Sequence, residues 1–193
     1  MKKQLFITLI FFPIALYNCT NTTTPSDQSK ENTPEKAFYP VGNYILSQLS
    51  YIDSMPLAVI KYTTIHNVTD TSIIEKKDFR HIAAAFITPD ISSAELKPQY
   101  EEHSFIDATL GTITLTYTTE NDKLPVRKAD ILLNQENTGV KTIYIEKNIP
   151  GADPVIKKML WIADRNCQIT TLVQKEGQPE QVIFEKYVWD EKH

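Results

Sequence analysis

Glycine is scarce in this chain, with only five among 193 residues. That argues against glycine-rich solenoids and against loops that cradle phosphate with several glycines at fixed spacing. Basic residues never gather into a block, and the formal charge is −4. Nucleic-acid binding draws most of its affinity from Lys and Arg neutralising phosphates, so no nucleic-acid partner is expected. There are two cysteines, Cys19 and Cys167. If the first is modified, the second has nothing to pair with, and the fold uses no internal disulfide.

Catalytic signatures are missing as well. No Gly-x-Ser-x-Gly elbow occurs, and the four histidines, His66, His81, His103 and His193, have none of the spacings of a helical metal motif. No metal and no cofactor are expected. Twenty-four acids make chance carboxylate pairs common, and they read as solvated surface charge. Cys167 has no histidine near it in sequence and reads as a small packed residue.

The amino end carries the most specific signal. Lys2 and Lys3 precede an uncharged, mostly apolar run from Leu5 to Tyr17. As a helix that run reaches about 20 Å, short of the roughly 30 Å hydrocarbon layer, so it does not suit a membrane span. Positive end, apolar middle and cleavage region together make a secretory signal. Leu16, Tyr17, Asn18 and Cys19 then place a Leu three positions before a Cys. In this the chain resembles bacterial lipoprotein precursors. The resemblance implies a signal over 1–18, lipidation of Cys19 with acyl chains such as palmitate, and a location in the cell envelope facing the periplasm or the exterior.

From Thr20 to Lys36 the sequence TNTTTPSDQSKENTPEK has no aliphatic or aromatic side chain. Such a stretch buries too little surface to offset the entropy of ordering, and 19–37 reads as a polar tether. Removing Lys2 and Lys3 with the signal takes the charge from −4 to −6. An acidic chain does not dock on anionic lipid electrostatically, so the acyl chains would do the anchoring. This layout is similar to small, uncharacterised Bacteroidota lipoproteins, a resemblance that brings no active site with it.

A single domain is expected over 38–193, about 155 residues, enough to bury close to 70% of the unfolded surface. Val41, Tyr44, Ile45, Gln48, Leu49 and Ile52 recur at steps of three and four, predicting an amphipathic helix over Val41 to Asp53. Leu57 to Ile65 is rich in β-branched residues and predicts a strand, bounded by Pro56 and the polar stretch HNVTDTS. Ser72 and Glu75 form the capping-box pattern. They open a second predicted helix with an inner face of Phe79, Ile82, Ala83 and Phe86, stopped by Pro89.

From Glu102 the period becomes two. Ile113, Leu115 and Tyr117 share one face of TITLTYT, with threonines on the other. Further strands are predicted over Val126–Leu133, Val140–Lys147, Val155–Ala163, Gln168–Lys175 and Gln181–Trp189. The separators are mostly too short for crossover helices, so the strands should meander antiparallel. The expected class is α+β: N-terminal helices packed on one face of a twisted, mainly antiparallel meander sheet. The other face, carrying Lys158, Lys186, Thr114, Thr116 and Thr170, is expected to be more solvated.

Candidate ligand-binding residues are few. Tyr187 and Trp189 share a face of the last predicted strand, a candidate sheet edge that could recruit a partner by strand addition. His81 and His103 are the candidates for a site with nearby acids such as Glu101 and Glu102. The leading expectation is a membrane-tethered, non-catalytic binding or envelope-structural module that takes a protein, a glycan or an apolar small molecule. A second is a hydrolase whose site is assembled from distant histidines and acids. A third is a carrier of an apolar ligand in a curled sheet.

Overall fold

The computed structural model describes residues 38–190. The signal over 1–18, Cys19, the tether over 19–37 and His193 lie outside the described residues.

The chain opens with helix α1, Val41–Ser54. A hairpin follows, β1 Val59–Ile65 and β2 Val68–Ile74. Helix α2, Lys76–Ala83, runs into a 3₁₀ turn at Ala84–Phe86. Seven strands complete the fold: β3 Glu101–Asp107, β4 Thr112–Thr118, β5 Val126–Asn134, β6 Val140–Ile149, β7 Val155–Ile162, β8 Asn166–Val173 and β9 Gln181–Val188. All nine strands form one antiparallel sheet in the order β2-β1-β9-β8-β7-β6-β5-β4-β3.

The antiparallel meander therefore holds for β3 through β9, but the class is mostly β rather than α+β. Among the described residues the α-helices are two and short, and they do not both precede the sheet. The chain lays down an edge hairpin before α2, and the segment from β2 to β3 crosses from one edge of the sheet to the other.

The unexpected element is β2. The stretch HNVTDTS is not a loop: His66 and Asn67 alone make the turn, both with positive φ (48° and 64°). Two left-handed residues match the twist of a two-residue hairpin, and Asn tolerates that conformation at small cost. Ser72 lies inside β2 opposite Lys61 rather than capping α2. The residue before α2 is Glu75, which makes no side-chain cap. Lys76 at the first position of α2 instead donates from Nζ to the carbonyls of Asp53 and Met55, and Arg80 pairs with Asp53, so the start of α2 is tied to the end of α1.

Alternation sorts the strands into two faces. On one, Ile131, Ile143, Trp161, Cys167 and Tyr187 form a register row across β5 to β9, all buried. Buried residues of both helices share their core: Ile45, Leu49 and Ile52 from α1, Phe79 and Ala83 from α2. Phe79 holds its ring 6.1 Å from Trp161, 5.8 Å from Tyr187 and 5.5 Å from Trp189, and Phe86 meets Trp161 edge-on at 5.2 Å. Gln48 fixes α1 to the β7–β8 turn through both ends of its amide. Nε2 donates to Asp164 Oδ1 at 2.8 Å, and Oε1 accepts from the Asp164 backbone N–H at 3.0 Å.

On the opposite face, the neighbouring row is Thr116, Asp130, Tyr144, Leu160, Gln168, Lys186 and Tyr62. All seven are half-buried. This is the face predicted to carry Thr114, Thr116, Lys158, Thr170 and Lys186, and it does. Leu132, Leu160, Ile162 and Phe184 stand among them, so it is mixed in character rather than simply polar.

Candidate functional site

Chemistry separates three of the recesses on the described residues. The first is a cavity of about 20 Å³ beside Phe86, Ile87, Ile91, Ala129, Ile145 and Lys147. It has room for about one water and for no larger ligand. Lys147 points to the helix-covered side of β6, is only 6% exposed and donates to the carbonyls of Ala85 and Thr88. Burial, and then the charge of Lys157, lower its pKa to about 8. Its ammonium closes the C-terminal end of the 3₁₀ turn after α2, where carbonyls lack helical partners.

The second recess, about 290 Å³, lies at the β3–β4 end beside Gln99, Glu101, Glu120 and Asn121. Asn121 Nδ2 donates to Gln99 Oε1 at 2.8 Å, so its amides satisfy each other. Two acids line it, and among the described residues no group of three His, Cys, Asp or Glu stands where a metal ion could be held.

The third is an apolar groove of about 280 Å³ lined by Leu57, Ala58, Ile60, Ile73, Val188 and Trp189. Its floor follows from strand register: Ile73 pairs with Ile60 and Ile60 with Val188, a row of three branched aliphatics at the β2-β1-β9 end of the sheet. Leu57 precedes β1 and is 54% exposed, and Ile73 on the edge strand is 75% exposed. Large aliphatics left this open around a concavity make the groove the candidate binding site of the described residues. Trp189 borders the groove while its ring, 3% exposed, stacks into the core 5.0 Å from Trp161. The indole N–H groups of Trp161 and Trp189 are both buried without a hydrogen-bond acceptor among the described residues.

The candidate residues read from sequence fall in different places. Tyr187 and Trp189 are buried, 1% and 3% exposed, in the aromatic cluster around Phe79. Burial, followed by the nearby Glu185 carboxylate, raises the Tyr187 phenol well above its ordinary value. Strand β9 is not an edge, because β1 pairs along it from Ile60 to Ile65. His81 is exposed on α2, two residues from Phe79 on the β7–β9 side of the sheet. His103 is exposed on β3, the far edge strand, where Nε2 lies 3.6 Å from Glu101 Oε2. The two histidines do not converge. Cys167 is fully buried, and burial and then Glu185 push its thiol well above the usual range, which makes it an inert core residue.

Sequence reasoning passed over Leu57, Ile60, Ile73 and Val188. Its one available signal was the pair of branched residues Ile73 and Ile74 closing a β-branched run, which required reading His66 and Asn67 as a two-residue turn. No family model, curated protein or solved structure matches this chain.

Proposed function

We propose that this chain is a non-catalytic binding module, held in the cell envelope by acyl chains on Cys19 and facing the periplasm or the exterior. It takes an apolar group at the groove between Leu57, Ile60, Ile73 and Val188. The observation that carries the binding assignment is that groove, open and lined with aliphatics beside the buried aromatic core. At about 280 Å³ it sits at the lower edge of the range for small-ligand pockets, about 300–1,000 Å³. It suits one apolar side chain or the end of an acyl chain, and is too small to enclose a whole lipid as a carrier must. The hydrolase reading finds no support in the separated positions of His81 and His103.

Anchoring rests on the resemblance of Leu16–Cys19 to lipoprotein precursors and on the polar composition of 20–36. Two experiments test the two halves independently. Native mass spectrometry of the chain purified from its own cells should show a retained apolar species or partner that an Ile60→Lys variant has lost; identical spectra for both would remove the groove from the account. A Cys19→Ala variant should leave the membrane fraction, and its continued retention there would remove the lipid anchor.

A further inference from the structure

The two ends of the sheet, β2 and β3, are open edges, and such edges are ordinarily guarded by Lys, Pro, bulges or inward charge. Strand β2 has none of the first three. Its register with β1 is unbroken from Val59↔Ile74 to Ile65↔Val68 at the turn, and its only charge is Asp70. All but Ile74 are exposed, Val68 at 72% and Ile73 at 75%.

The turn decides which groups are free. In a two-residue hairpin the turn's own hydrogen bond joins Ile65 and Val68, so the bonded pairs with β1 fall at Val68, Asp70, Ser72 and Ile74. The amides and carbonyls of Thr69, Thr71 and Ile73 therefore point away from β1 toward the open edge.

We infer that β2 is a self-pairing edge: two copies of the chain join their β2 strands antiparallel about a two-fold axis at Thr71. In this register Thr71 faces Thr71 of the second copy, and Thr69 faces Ile73. These are the residues with free backbone groups, and each facing pair exchanges both N–H···O bonds. Asp70 comes opposite Ser72, whose hydroxyl donates to the carboxylate, and Val68 comes opposite Ile74. No like charges meet, and the exposed Val68 and Ile73 gain cross-strand neighbours. An axis normal to the sheet keeps the helix-covered faces of both copies on the same side, so the pairing is isologous and closed. A register shifted by one residue pair sets Asp70 against Asp70. The β3 edge is unlike this. Paired with itself over all seven residues, it brings Glu101 opposite Asp107 at both ends, and like charges directly opposite are destabilising.

The inference does not depend on what fills the apolar groove, and the deciding variant, Thr71→Cys, changes none of the residues that line it. A Thr71→Cys variant of the full chain, oxidised mildly in its own membranes, should yield a species of twice the chain mass that the unaltered chain does not form. Facing residues in such a pair have Cα atoms about 5.5 Å apart, within disulfide reach. Thr69→Cys or Ile73→Cys alone should yield none, because each faces the other residue and lies about 13 Å along the strand from its own copy. The Thr69→Cys/Ile73→Cys double variant should restore the species. Thr71→Lys, which sets two ammonium groups face to face on an exposed strand, should abolish any dimer seen by native mass spectrometry. Failure of Thr71→Cys to cross-link, cross-linking by all single variants alike, or an adduct with a different protein would each overturn the inference.

Discussion

The two faces of this sheet are built from the same strands, and adjacent residues serve opposite ends. Trp161 is fully buried beneath Phe79 and Phe86, whereas Leu160, one position earlier, is half-exposed between Tyr144 and Gln168. The covered face is closely packed; the cavity on it beside Lys147 holds about 20 Å³. Beside the β2-β1-β9 end, where Ile60, Ile73 and Val188 form a row on the other face, a groove of about 280 Å³ stays open. One face is thus packed and the other partly open, and substitutions on the two should have very different consequences.

The largest expected effect is on the covered face. Trp161→Ala should cost about 3–5 kcal/mol in urea unfolding, because the hole is enclosed by aromatic rings that cannot collapse into it. Leu160→Ala should cost about 1 kcal/mol or less, since half its surface is already wet. Equal losses from the two would break the comparison.

The next effect is a pH dependence. Lys147 has a pKa of about 8 in the fold and about 10.5 when unfolded. Below pH 8 the fold carries the cost of a buried ammonium, and above it the folded state sheds a proton that the unfolded chain keeps. Stability from this group therefore rises with pH until both states are neutral. Cys167 and Tyr117, whose pKa values burial raises, work in the opposite direction and lose stability as pH climbs past the ordinary thiol and phenol values. A difference measurement isolates the lysine: wild type should gain about 2 kcal/mol on Lys147→Met between pH 8 and 10. A flat difference would mean that the amine is not buried as described.

A smaller loss, about 1–2 kcal/mol, is expected for Gln48→Ala, which strands the Asp164 backbone N–H and frees α1 from the β7–β8 turn. At the β2-β1 end the change should even be favourable: Asn67→Gly, at φ 64°, should stabilise the hairpin by about 0.5 kcal/mol. Chemical denaturation of each variant checks both signs.

Much of this division was legible in the sequence. Period-two alternation in TITLTYT and its successors placed Ile113, Leu115 and Tyr117 on one face with Thr114 and Thr116 on the other. The helical stripe Val41–Ile52 is the one observed. What was not legible follows from how strands choose neighbours. A strand of seven residues, six of them exposed, has little apolar alternation, so β2 resembles a loop in sequence and Ser72 with Glu75 mimics a capping box. Because β1 docks on β9, the last strand in sequence is interior, and Tyr187 and Trp189 lie in the core. That pairing joins residues more than a hundred positions apart, and nothing local encodes it. The groove depends on the same long-range pairing, since Val188 meets Ile60 only once β9 and β1 are side by side.

The claim that the groove takes an apolar group has a direct optical test, because Trp189 borders it and the only other tryptophan, Trp161, is sealed in the core. Titration with a brominated fatty acid, a quencher that must approach the indole closely, should saturably reduce the intrinsic fluorescence of the wild-type chain and leave an Ile60→Lys variant unchanged. Quenching that is absent in wild type, or identical in both, would contradict the account.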